Sequence, residues 1–117
     1  MIKDEFVKTF LGHDPSEPMS GEFMRRVKTL SDREKMVLVL FWAGLTAKET
    51  AERLHNSCRT VEVQRRKASE KLGFPIGQTL LAFVEIGLIR EAEELINWTW
   101  FRLQHPNDKY PIPEELE

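Results

Sequence analysis

The sequence predicts an all-α chain built around three consecutive helices between Leu30 and Gly73, with helical extensions before and after them. Two kinds of signal carry that expectation. Ser31-x-x-Glu34 and Thr46-x-x-Glu49 are both capping boxes, in which a hydroxyl and a carboxylate satisfy the free amides of a first turn, and each precedes apolar residues at helical spacing. Gly44, the break His55-Asn56-Ser57 and the stretch Gly73-Phe74-Pro75-Ile76-Gly77 then fall where helices need to end.

In chain order, residues 3–11 suit a short amphipathic helix with Phe6, Val7, Phe10 and Leu11 on one side. Pro15 and Pro18 break it, because proline disfavours helix at the residue before it. A second short helix is expected from about Glu22 to Thr29, with Phe23 and Val27 four apart, either docked on the core or held for a partner. The next helix, Asp32 to Ala43, should turn Val37, Leu38 and Phe41 inward, with Leu40 and Trp42 broadening that face. Its neighbouring aromatics suit packing better than a ligand box, and the bulk of Trp42 offers a partner for the small Ala68. Ala47 to Leu54 should bury Ala51 and Leu54, the small Ala51 suiting a close approach of two helices.

Ser57 is placed to cap a longer helix, Cys58 to Leu72. Val61, Gln64, Ala68 and Leu72 share its inward face, leaving Glu62, Val63, Arg66 and Lys67 outward and Arg59 and Arg65 on the flanks. A short helix, a turn and a longer basic helix make a helix-turn-helix, which sets its second helix in the DNA major groove. Thr79 to Leu88 follows, with Glu85 its only charge, so it needs cover on more than one side. Arg90 to Leu103 presents Ala92, Ile96, Trp100 and Leu103, widened by Leu95, Trp98 and Phe101, opposite Arg90, Glu91, Glu93, Glu94 and Arg102. Packing over the preceding helix is the first expectation for it, with a larger dimer or a docked regulator as alternatives. Residues 104–117, with three prolines and several acids, suit an extended or disordered tail.

Charge is divided along the chain. The whole carries -2, yet residues 24–73 hold 12 basic and 6 acidic side chains, against 2 and 5 before them and 3 and 8 after them. Positive charge therefore coincides with the helix-turn-helix, and such asymmetry says more about a partner than the net charge does. One cysteine, Cys58, excludes an intramolecular disulfide, and its place near a helix start suits a small filler better than a redox switch. The apolar runs are too short to span a bilayer, and the N-terminus lacks a signal-peptide core, so the cytoplasm is the expected compartment. His13, His55 and His105 show no metal spacing, and no nucleophile–base arrangement or Gly-rich phosphate loop is visible. Neither an enzyme nor a cofactor is expected.

Leu30-Ser31-x-Arg33-Glu34, Val37-Leu38, Gly44-Leu45-Thr46, Lys48-Glu49, Ala51, Leu54, Ser57, Thr60-Val61 and Lys71-Leu72-Gly73 together resemble the LuxR/GerE-type helix-turn-helix domain of bacterial transcription regulators. A weaker likeness runs on through Thr79 to Leu88, so that about half of the chain is covered. The resemblance implies three parts: an N-terminal extension over 1–29, a DNA-binding domain over 30–88, and a C-terminal helix with an acidic tail over 89–117. It also implies base contacts from Glu62, Val63 and Arg66. Glu62 departs from the more usual basic or polar residue, and Thr50 and Ala68 are smaller or more polar than the family's aliphatics. Arg66 suits the two acceptors of guanine, Glu62 a cytosine amino group and Val63 a thymine methyl.

Phosphate contacts are expected from Thr46, Lys48, Arg59, Thr60, Arg65 and Lys67, with the helix beginning at Ala47 offering its free amides to an anion. In the resembled family the fourth helix commonly carries the dimer contact, which here points to a homodimer through a dimer or packing surface of Leu80, Phe83, Val84, Trp98 and Trp100. About thirty residues before Leu30 are too few for a receiver or ligand-binding domain, which suits a stand-alone regulator. Duplex DNA is the expected partner. The alternative is a protein-interaction module, an anti-activator or co-regulator that binds another regulator or RNA polymerase. The sigma-factor DNA-binding regions are a more distant likeness.

Overall fold

The computed structural model describes residues 19–105, and these form six α-helices and one 3-10 turn. The expected helix over 3–11 and the expected tail after His105 lie outside the described residues. Helix α1 is Met19–Lys28, α2 Asp32–Trp42, α3 Ala47–Leu54 and α4 Cys58–Leu72. The 3-10 turn Ile76–Gln78 leads into α5, Thr79–Ile86, and α6 is Ile89–Gln104.

Local signals fix the ends of these helices. In both capping boxes the hydroxyl of the N-cap (Ser31, Thr46) accepts the Glu amide at 3.1 Å while the Glu carboxylate accepts the N-cap amide at 2.9 Å. Ser57 caps α4 by accepting from the Thr60 amide at 3.1 Å. Gly87, at φ 92°, closes α5 two residues earlier than the sequence suggested. There the Leu88 amide donates to the Phe83 carbonyl and the Gly87 amide to that of Val84, an arrangement that turns the chain back and frees residues 89 onward for α6.

Helix α2 is the centre of the molecule. It packs against α3, α4, α6 and the 3-10 turn, and every residue from Glu34 to Leu40 is buried. This corrects the expected inward face. Phe41 is half-buried at the rim, beneath the Arg65 guanidinium, whereas Met36 and Val39 are core. A helix surrounded on several sides has no single apolar stripe. Trp42 meets Phe83 edge-on, with centroids 5.3 Å apart, and its Nε1 donates to Thr79 Oγ1 at 2.8 Å. Its bulk thus meets α5.

Helix α1 is docked on the core. Phe23 is fully buried and meets Phe74 and Phe83 edge-on at 5.7 and 4.9 Å, with Val27 buried one turn on. Helix α6 lies against both α2 and α5. Its deepest residues are Ala92, Leu95, Trp98 and Thr99, whereas Ile96, Trp100 and Leu103 flank them half-buried. Arg102, expected on the open side, stacks its guanidinium 5.4 Å above the Trp98 ring and pairs with Asp32 at 3.5 Å. Contact with two helices rotates the buried seam away from the line that apolar count alone suggests.

Candidate nucleic-acid interface

The outward face of α4 is set by what lies behind it. Val61, Ala68 and Leu72 are buried against the core, and Gln64 is half-buried beside them. Their spacing leaves the opposite side of the helix to Glu62, Val63, Arg66 and Lys67. Glu62, Arg66 and Lys67 are exposed and Val63 is half-exposed. The Arg66 side chain is 66% exposed; its only ion pair among the described residues, to Glu70, is long at 3.8 Å and worth little in water. Cys58 Sγ sits 3.7 Å from Glu62 Oε1 one turn earlier, a weak contact that leaves the carboxylate exposed.

Around this face the expected phosphate contacts fall into two groups. Lys48, Arg59 and Lys67 are exposed, without a hydrogen-bond or ion-pair partner among the described residues. Thr46 and Thr60 are exposed at the starts of α3 and α4, with the Thr60 hydroxyl 2.8 Å from that of Ser57. Arg65 is different. Its Nη2 donates to the Leu45 carbonyl at 2.9 Å, its guanidinium lies 5.0 Å from the Phe41 ring centre, and its Nε is buried without a partner among the described residues. It ties α4 to the turn between α2 and α3.

A second tie holds the far end of α4. Lys71 Nζ donates to Glu34 Oε1 at 2.6 Å and to the Thr29 carbonyl at 3.0 Å. Burial pushes the Glu34 carboxyl upward, but the Lys71 hydrogen bond and the Ser31 amide outweigh it and hold the group below 4.5. The Glu49 carboxyl is also lowered, first by the Thr46 amide and then by the Thr46 hydroxyl. Arg33 Nη1 donates to the Leu54 carbonyl at 3.1 Å and so covers the end of α3. None of these ties was visible in the sequence, where Glu34 and Lys71 are 37 residues apart and both satisfy simpler roles.

The family model for bacterial regulatory proteins of the luxR family, GerE, matches residues 28–80. Residues 28–80 are a LuxR-family domain. The GerE match ends inside α5, so α6 lies beyond it. Comparison with curated proteins and with solved structures gave no match. The GerE family is one of DNA-binding helix-turn-helix regulators, and α3 and α4 are the two helices of that motif. No described helix is long and apolar enough to cross a membrane, and the described residues hold no cluster of three or more side chains suited to a metal ion.

The surface expected to carry a dimer is split by depth. Phe83 and Trp98 are buried, at 0% and 1% exposure, and belong to the core. Leu80 and Val84 are exposed, at 36% and 44%, together with Leu81 and Ile89, while Trp100 is half-buried beneath the Arg53 guanidinium. Thus α6 covers one side of α5 and leaves an apolar side open.

Proposed function

We propose that this chain binds duplex DNA sequence-specifically and regulates transcription, with α4 in the major groove and Glu62, Val63 and Arg66 against base edges. The observation that carries the reading is the open outward face of α4 on a GerE domain, flanked by the unpaired cations Lys48, Arg59 and Lys67. A major groove about 12 Å wide admits one helix, and long side chains near that helix's N-terminus are the ones that reach bases. Thr46, Lys48, Arg59, Thr60 and Lys67 serve phosphates, which position the protein without reading sequence. Arg65 serves the same contact indirectly, by holding α4 at its angle to α3. Leu80, Leu81 and Val84 form a homodimer contact, which would present two reading helices to two half-sites. Such a regulator works on the chromosome, in the cytoplasm.

Glu62 favours a second reading. An acid at the centre of the reading face suits recognition of another regulator or of RNA polymerase, as an anti-activator would require. A salt titration of binding to mixed genomic DNA fragments decides between the two. A DNA binder loses affinity steeply with salt, and Arg66→Ala mainly relaxes sequence preference. Absence of binding at low salt overturns the DNA reading and leaves the protein-interaction module.

A further inference from the structure

A cleft of about 140 Å³ lies at the junction of α2, α3 and α6, lined by Arg33, Arg53, His55 and Arg102 with Met36 and Leu54 also in its wall. We propose that this cleft is a docking site for an acidic peptide segment of a partner protein, one in which carboxylates alternate with an aliphatic side chain.

Charge and size select that ligand. Three arginines line one opening, and each guanidinium keeps donors to spare. Arg33 spends Nη1 on the Leu54 carbonyl, Arg102 spends Nη1 on Asp32, and Arg53 lies over the Trp100 ring without a hydrogen-bond partner among the described residues. Among the described residues, Asp32 pairs with Arg102, and Arg53 acts on the Glu49 carboxylate through its charge. A guanidinium fork matches a carboxylate in its plane, so such clusters select acidic motifs. The volume is below that of a whole small-molecule site, which runs to several hundred Å³, and suits one or two side chains. Met36 and Leu54 give an aliphatic side chain somewhere to go, which a hydrated phosphate would not use. His55, at φ 55°, holds the left-handed position where α3 ends and lines the cleft there.

The site is distinct from the DNA face. It lies at the C-terminal end of α3, whereas Thr46 and Lys48 are at the other end, about 12 Å away along eight residues. One wall is α6, which the GerE match does not include. The inference is independent of the DNA reading, since an acidic partner can be bound whether or not α4 meets a duplex.

Fluorescence anisotropy of a labelled Glu-Glu-Leu-Glu-Glu peptide with the full chain tests it. Saturable binding is expected, about tenfold weaker for the Arg53→Gln, Arg102→Gln double variant and unchanged for Lys48→Ala. Replacing the peptide's Leu by Ser should weaken binding as well. Arg53→Gln alone, which leaves the Arg102–Asp32 pair intact, guards against a folding defect, and a thermal melt checks each variant. No saturable binding by folded wild type, or equal loss with Lys48→Ala, overturns the site as diffuse charge. A flatter salt slope for DNA binding with Arg53→Gln also overturns it, because the cleft would then serve phosphates.

Discussion

Lys71 in the last turn of α4 sets its ammonium 2.6 Å from the carboxylate of Glu34 in the first turn of α2. The Glu34 side chain is 6% exposed and the Lys71 side chain 37%. This pair joins the end of α4 to the start of the central helix α2, through a carboxylate that already caps that helix.

The pair has a signature in acid. With its folded value held below 4.5, Glu34 contributes stability that is present above that pH and lost as pH falls through the depressed value. Lys71→Met should therefore lower stability near neutral pH by about 1 kcal/mol, the ammonium being partly in water. Thermal melts between pH 7 and pH 3 should show the wild type losing more stability than the variant below about pH 4.5. Parallel curves would mean that the pair contributes nothing.

Arg65 and Lys67 are two residues apart on α4 and should respond differently to truncation. Lys67→Ala should flatten the salt slope of DNA binding by about one unit and leave the melting temperature unchanged. Arg65→Ala should lower the melting temperature, because the Leu45 carbonyl loses its partner and Phe41 its cover. A loss of about 1–2 kcal/mol is expected. Equal melts for the two variants would remove the bracing role.

Thr50 is fully buried and its hydroxyl has no hydrogen-bond partner among the described residues. Replacing it by the isosteric valine removes a desolvated polar group without opening a cavity. Thr50→Val should stabilise the fold by about 1 kcal/mol in urea unfolding, with the slope unchanged. A destabilised variant would show that the hydroxyl is satisfied in solution.

The open side of α5 and its covered side should separate cleanly. Leu80→Glu with Val84→Glu should give a folded protein that sediments as a monomer at high micromolar concentration, where the wild type is expected to sediment as a dimer. Phe83→Ala should instead cost about 3–5 kcal/mol of stability, as large core truncations do. A wild type that is itself monomeric at that concentration would sink the dimer.

Much of this was legible from residue type and spacing. The capping boxes, Gly44 and Ser57 act within three or four residues of themselves, so their geometry is written locally, and both boxes formed with the expected partners. The outward set on α4 followed from helical period once Val61, Ala68 and Leu72 were taken as core. What escaped was set by neighbours far along the chain. Phe41 and Trp42 looked equally apolar, but one lies under Arg65 and the other against Phe83. Arg102 looked like a solvated charge until Trp98 and Asp32 were brought to it. No local pattern distinguishes a basic residue that waits for a phosphate from one already engaged by a carbonyl.

Helix α6 buries Trp98 and Leu95 and packs against α2, which lies within the matched LuxR-family segment, and α5, where that segment ends, and this has a consequence for how the molecule opens. Amide hydrogens in α2 and α6 should exchange by the same whole-molecule event, because neither helix can leave without stripping the other. The unit that melts cooperatively is therefore larger than the segment that defines the family. A fragment cut at residue 80 would expose the surface that α6 covers and lose its two-state character, so the heritable module and the thermodynamic one have different borders here.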